Sequence, residues 1–545
     1  MDARPGVPEL AGWGRLAVGI VRRDRLRLAI WLVAVPAIAL PTLSAYAAMS
    51  ETGAGGQARA ALMATPTGTV FGGPGYGLDD YTSGAMIANE LLLYLVSAVA
   101  LAAVTLVVHM TRHEEELGRL ELVGAAVVGR RAALAAAVAV VSVEVVAIGL
   151  AIGAGMLAIP GLPNVDCLAF GLAIAAVGLA FSAIGALAAQ LATTGRGAAA
   201  IGVGTVGGAF LLRAFGDTAT ARDAPDWASW VSPLGWANRT RVFVDLMWWP
   251  ILLALVFAAG VAWAAWAVAA RRDMGAGLAA SQPGPARAAK NLLHPSGLVW
   301  RRTRGALYGW AGGGAILGLC MGPVMAGLGD YLENNPTIAG LFGVDPRSGL
   351  NAAVEAFSAV IVLYMAILMA VFVILGLNQF KADEARGFVE LELAGPVSRP
   401  RLLGATEATI AMSALLGLAF AGTTYLLVVS TDQNLDPATA PGIGGAVLRA
   451  FPGLILTAAL ASFLVAALPR LAALSWLPLA YSFAHAVLAP AFGWPNWTRY
   501  FAPLSAVDLS PGEAIDWRAV AVAGVLAIVL FKAAHVAFKR RDIAT

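Results

Sequence analysis

The chain has 545 residues, of which 59% are hydrophobic and only 13% charged, and its mean hydropathy is +0.76. Soluble domains carry about 25% charged residues, so this composition excludes a soluble globular or disordered protein and describes an integral membrane protein. The net charge of +3 says little about partners in such a chain; where the charges lie says more.

In chain order, residues 12–27 place Trp13, Leu16, Ile20 and Val21 near one another with arginines around the other face, which predicts an interfacial helix leading into the first span. Arg22 to Arg27, the apolar run that follows and Ala45-Tyr46-Ala47 mimic a signal peptide, but a duplicated unit needs its first span. Apolar runs of the length that crosses a bilayer are expected at 26–48, 83–110, 132–155, 166–191, 197–215 and 248–269. A second set is expected at 305–327, 352–378, 402–429, 443–467, 471–489 and 517–538. Residues 276–300, within a stretch rich in Gly, Pro, Ala and Ser, read as a cytoplasmic linker between halves 1–275 and 301–545. The expected architecture is an all-α polytopic membrane protein, with twelve transmembrane helices as two tandem six-helix halves forming a pseudo-dimer. With the N-terminus inside, about 26 of the 36 Lys and Arg fall on cytoplasmic segments and about 9 on the longer outer loops, as the positive-inside rule requires. Both termini are then cytoplasmic.

Between the second and third spans of each half lies a charged motif. The first copy runs Arg112-His113-Glu114-Glu115-Glu116-Leu117-Gly118-Arg119-Leu120-Glu121-Leu122, and the second Lys381-Ala382-Asp383-Glu384-Ala385-Arg386-Gly387-Phe388-Val389-Glu390-Leu391. Setting Gly118 on Gly387 superposes Glu115 on Glu384, Glu121 on Glu390 and Arg130 on Arg399, and the same shift carries Arg271-Arg272 onto Arg540-Arg541. Helical spacing puts Glu115, Gly118 and Leu122, or Glu384, Gly387 and Leu391, along one face, with glycine offering close backbone approach. A helix of this kind suits a strut at the membrane surface that docks into a partner; a solvated charge run is the plain alternative. Before the last span of each half, Trp227, Trp230 and Pro233, and later Trp494, Trp497 and Pro503, mark a segment expected to dip into the outer leaflet.

The charged pattern between the second and third spans, the interfacial helix, the six spans and the W-x-x-W outer segment, all of them repeated, resemble the permease subunits of type-2 ABC exporters. The likeness is strongest to the twelve-span antibiotic and multidrug group typified by tetronasin exporters. That resemblance implies that Glu114, Glu115, Glu116, Gly118, Arg119 and Glu121, with Asp383, Glu384, Arg386, Gly387 and Glu390, couple the membrane domain to two copies of a separate cytoplasmic ATPase. It also implies export of hydrophobic or amphipathic compounds from a bacterial plasma membrane. The second copy departs from the pattern at Ala385 and Phe388. ATP and Mg²⁺ are expected on the partner, because a P-loop needs Gly immediately before Lys. The four lysines, Lys290, Lys381, Lys532 and Lys539, follow Ala289, Phe380, Phe531 and Phe538.

Charged groups inside spans are costly and mark functional candidates. Glu144 falls near the midplane of the third span, Glu90 near the outer end of the second, and Glu407 at the cytoplasmic end of the ninth. Glu90 and Glu144 are candidates either for helix–helix hydrogen bonding or for a substrate cavity lined also by Tyr364, Met365, Trp476, Tyr481 and His485. No metal site is expected, since His109 and His113 belong to the helix that carries the charged motif, and no nucleic-acid partner is expected. Two other readings remain open: a secondary transporter driven by an ion gradient, and a membrane-embedded enzyme or assembly factor. The charged motifs count against the first, and the lack of a catalytic constellation against the second.

Overall fold

A computed structural model describes residues 8–50, 56–120, 127–220, 226–272, 287–322, 349–430, 439–492, 494–510 and 515–542. Among them all regular structure is helical and no strand occurs. The protein is therefore an all-α polytopic membrane protein. Ten described helices are long and apolar enough to cross a bilayer. They are Trp13–Ala48, Ser83–Glu116, Ala132–Met156, Asn164–Leu191, Gly195–Thr218 and Trp249–Arg271, then Phe357–Ala385, Arg399–Val429, Pro441–Ala467 and Trp517–Arg540.

Two of the expected spans take another form. The segment expected at 305–327 is carried by the 27-residue helix Pro295–Met321, whose first turns hold Arg301, Arg302 and Arg304 and dilute its hydropathy. The segment expected at 471–489 divides into a 3₁₀ stretch, Pro469–Ser475, and a 17-residue helix, Trp476–Phe492. At 1.5 Å per residue that helix is about 25 Å long, the short limit for crossing a membrane.

The chain divides into two compact units, Met1–Gly284 and Pro285–Thr545. In the first, Asn164–Leu191 is the most enclosed helix and packs on Ser83–Val108, Ala132–Met156 and Trp249–Arg271. Without a hydrophobic force between helices in lipid, close approach of small residues does the packing. A methyl group added at Gly149 would lie 2.4 Å from the Gly171 carbonyl oxygen, and one at Gly171 would lie 2.3 Å from that of Gly149. In the second unit Gly349–Ala385 packs on Arg399–Val429 and Phe451–Ala467, and Phe451–Ala467 on Trp517–Arg540.

The leading helix Trp13–Ser50 breaks at Asp24 (φ −99°, ψ 15°). This elbow falls within the arginine-rich turns, between Arg22-Arg23 and Arg25 to Arg27, ahead of the apolar span. Pro36 and Pro41 lie within that span, and each withholds one backbone donor from the helix ladder.

Candidate functional site: the charged elbows and their clasps

In the first unit the second span, Ser83–Val108, passes through a π-helical turn, His109–His113, into Glu114–Glu116. In the second unit Gly349–Ala385 runs to the same point as one α-helix. Both then stop at glycine. Gly118 and Gly387 are left-handed (φ 72° and 77°), and their N–H groups close on the carbonyls of Glu115 (3.0 Å) and Glu384 (2.9 Å). Nothing lies within 4 Å of where a Cβ would sit on either. Among the described residues no neighbour within the chain approaches either glycine closely, and the space above each is open. Each glycine serves a left-handed turn that ends the helix, a conformation costly for other residues. The single face expected for Glu384, Gly387 and Leu391 is interrupted there, and a new short helix, Phe388–Leu393, begins beyond it. Glu121 and Leu122 lie outside the described residues.

The acids before the glycine turn inward. Glu114 is buried and accepts from Arg23 Nη1 at 2.5 Å and from Arg119 Nη1 at 3.0 Å. Its counterpart Asp383, also buried, accepts from Arg302 Nη1 at 3.1 Å. Glu115 pairs with Arg272 at 2.8 Å and with Arg112 at 2.9 Å. Glu384 holds Arg541 through both carboxylate oxygens, Oε2 at 2.5 Å. Two further arginines complete the pattern, since Arg130 donates to the Arg272 carbonyl (2.8 Å) and Arg399 to the Arg541 carbonyl (2.6 Å).

Each unit thus carries the same clasp. Two adjacent acids at the C-terminal end of the second span grip the leading helix with one hand and the end of the last span with the other. Arg23 and Arg302 were not among the sequence candidates. They match at a different shift from the rest, although Leu28 with Leu307 and Trp31 with Trp310 follow the same shift.

What remains outward differs between the units. Glu116 accepts the Gly195 N–H at 3.0 Å, while Leu117 and Arg119 are exposed. In the second unit Arg386, Phe388, Glu390 and Leu391 are exposed. Glu390 also lines a shallow depression of about 630 Å³ with Leu393, Val397, Ser398, Arg399 and Asp542.

The candidates for a substrate cavity are not all brought together, although Tyr481 and His485 lie side by side (ring centroids 6.0 Å). Glu90 is bound by Arg59 (Nε 3.1 Å, Nη2 2.5 Å) from the outer helix Gly56–Met63, and by the Tyr81 hydroxyl (3.2 Å). Burial and the Glu90 carboxylate push the Tyr81 hydroxyl well above its usual range. The hydrogen bond to Glu90 does the same for Arg59. Met365 is wholly buried in the core of the second unit, and Tyr364 leans on Phe483 (6.3 Å). Trp476 is 37% exposed at the start of its helix.

Tyr481 donates to the Thr498 carbonyl (3.1 Å), and His485 Nε2 meets Thr498 Oγ1 (3.0 Å), so both hold the segment Asn496–Phe501. The first unit does the same job with charge. Buried Arg213 and Asp217 pair at 3.0 Å, and Asp217 accepts from Ser229 Oγ at 2.6 Å. Trp230 there stacks on Trp249 (4.6 Å) beneath Arg239, and Pro233 is buried. Trp494 stacks on Tyr481 (6.5 Å), Trp227 and Trp497 are exposed, and Pro503 lends its carbonyl to a close contact with Gly453.

Glu144 alone of these candidates is buried with one carboxylate oxygen, Oε1, that has no hydrogen-bond partner among the described residues. Glu407 joins three helices, accepting from Ser462 Oγ and pairing with His535 Nε2 at 2.7 Å. Among the described residues no group of three His, Cys, Asp or Glu is placed to hold a metal ion.

Residues 292–539 match the family profile described as "Multidrug efflux system permease Rv1217c, C-terminal domain". Over 535 residues, 96% of this chain and 94% of the relative, the sequence is 33% identical to the multidrug efflux system permease protein Rv1217c of Mycobacterium tuberculosis. With a repeated membrane unit, matching clasps in its two halves and a relative aligned along nearly its whole length, the chain belongs to the family of multidrug efflux system permeases.

Proposed function

We propose that this chain is the membrane subunit of an ATP-driven exporter of hydrophobic and amphipathic small molecules, worked by two copies of a separate ATPase from the cytoplasmic side. The name of the mycobacterial relative supports drug efflux, and the absence of any Gly-Lys pair supports placing ATP and Mg²⁺ on the partner. The observation that carries the reading is the duplicated clasp. A secondary transporter has no need of two matched cytoplasmic levers, each fastened to the first and last spans of its half.

In this reading the two kinds of residue in the charged motif divide the labour. Phe388, Glu390, Leu391 and Arg386 in one half, and Leu117 with Arg119 in the other, form the contact with the ATPase. The buried acids pass the displacement on. When nucleotide closure pushes an elbow, Glu384 and Asp383 oblige the second span, the leading helix and the last span to move together, because separating a buried ion pair is more costly than shifting three helices as one body. Glu144 is assigned to substrate contact, as the buried acid with an unpartnered oxygen.

The test is biochemical. The purified chain alone should hydrolyse no ATP, and co-expression with the ATPase should give one permease to two ATPases. A stable complex holding one ATPase, or hydrolysis by the isolated chain, would overturn the reading.

A further inference from the structure

The leading helices of the two units share a pattern, Arg22-Arg23-Asp24-Arg25 and Arg301-Arg302-Thr303-Arg304. In each, the middle arginine turns inward to the coupling acid. The four that flank it, Arg22, Arg25, Arg301 and Arg304, are exposed, and among the described residues none of them enters an ion pair.

Beyond the arginines, the same helices expose apolar side chains. Leu26, Ile30 and Val33 are 74%, 62% and 63% exposed in the first unit, and Tyr308 and Leu319 are 62% and 50% exposed in the second. In a membrane protein such a face meets acyl chains, and the point where it gives way to arginine lies at the level of the lipid headgroups. The helix break at Asp24 falls between Arg22 and Arg25, which sets that pair on the elbow where surface helix turns into span.

In the unbroken helix Pro295–Met321, Arg301 and Arg304 stand three residues apart, a rise of about 4.5 Å that lets both reach one phosphodiester; Arg22 and Arg25 flank the break at Asp24 and meet at the elbow instead. Arginine is the side chain best shaped for that anion. The arginines prolong the lipid-exposed face, whereas Phe388 and Leu391, the apolar groups assigned to the ATPase contact, lie beyond Gly387 on a different element.

We propose that Arg22 with Arg25, and Arg301 with Arg304, each bind the headgroup phosphate of an anionic phospholipid in the cytoplasmic leaflet. The two sites pin the leading helices at the depth from which Arg23 and Arg302 reach their acids. This is independent of whether the chain is driven by ATP.

The test uses the full-length chain in detergent micelles, with phosphatidylglycerol and phosphatidylcholine of matched acyl chains as probes. Lipid retention is read by native mass spectrometry and stabilisation by thermal unfolding. The wild type should retain and be stabilised by phosphatidylglycerol over phosphatidylcholine. R22Q/R25Q and R301Q/R304Q should each weaken that retention, roughly fivefold per arginine removed, and the quadruple variant should show no preference.

Arg→Lys variants at the four positions keep the charge and lose the guanidinium fork, so they should retain phosphatidylglycerol more weakly than the wild type but still over phosphatidylcholine. They carry the test if the glutamine variants do not fold, and either no preference or retention equal to the wild type would overturn the proposal. So would undiminished preference in the quadruple glutamine variant, which would free these arginines for a protein partner. Inorganic phosphate that displaces phosphatidylglycerol and reproduces its stabilisation would overturn the lipid assignment in favour of a free-anion site.

Discussion

Neutralising the acid that grips the last span, by Glu115→Gln or Glu384→Gln, tests whether the clasps hold each half together. Both carboxylates are 8% exposed, and their partners Arg272 and Arg541 are 11% and 19% exposed, so the pairs are largely out of water. Removing one member of a buried pair leaves the other charge unmatched, at a cost of about 3–5 kcal/mol. Glutamine retains one acceptor oxygen and the arginines keep some solvent contact, which puts the loss near the lower end, about 3 kcal/mol. For a domain of a few hundred residues that is a fall of roughly 6–12 °C in unfolding temperature.

The assay is thermal unfolding of the detergent-solubilised chain, followed by tryptophan fluorescence. Arg272→Gln, Arg541→Gln and the two double variants complete a cycle. Because each pair acts as a unit, the double variants should lose far less than the sum of the singles. Glu115→Gln should be the more damaging, since Glu115 pairs with Arg112 as well as with Arg272. Wild-type unfolding temperatures in the single variants, or strictly additive losses, would show that these acids face a partner and not their own arginines.

Four further outcomes are expected. Phe388→Ala should leave the unfolding temperature unchanged and weaken capture of the ATPase by about 1–2 kcal/mol, measured as complex yield; a stability loss instead would place Phe388 in the core. Gly118→Ala and Gly387→Ala should each cost roughly 1–2 kcal/mol of stability through the left-handed backbone alone, with the unfolding temperature as the check. Glu90→Gln should lower stability by stranding Arg59 and leave substrate preference alone; altered selectivity in reconstituted transport would show that Glu90 touches substrate. Glu144→Gln should change selectivity between cationic and neutral substrates with assembly intact, and a variant that transports both at wild-type ratios would remove Glu144 from the substrate route.

Much of the repeat was legible in the sequence, and the orientation of its charges was not. The shared shift that pairs Glu115 with Glu384, Arg130 with Arg399 and Arg272 with Arg541 named most of the clasp, but as separate outward charges. The inward turn depends on the helix ending at Gly118 and Gly387, and a heptad-like reading of Glu-x-x-Gly-x-x-x-Leu continues straight through that break. Arg23 and Arg302 escaped because they follow another shift. Tyr481 and His485 looked like an aromatic cavity lining. Their partner Thr498 lies across a turn that helical periodicity does not see, and the charged equivalent in the first half, Arg213 with Asp217, shares no chemistry with them. The short helix Trp476–Phe492 reads as a longer apolar run because Pro469–Ser475, a 3₁₀ stretch, is apolar too.

The chain separations across the clasps record how the two copies have drifted apart. From the coupling acid to the arginine at the end of the last span there are 157 residues in both halves, and from the arginine that opens the third span to that same residue there are 142 in both. From the leading-helix arginine to its acid there are 91 in one half and 81 in the other. The ten-residue difference lies between the leading-helix arginine and its acid, and the ion pair that joins them is preserved. The stretches from Glu115 to Arg272 and from Glu384 to Arg541 have kept their register, so loop grafts are best placed between the leading helix and the second span, away from both ion pairs.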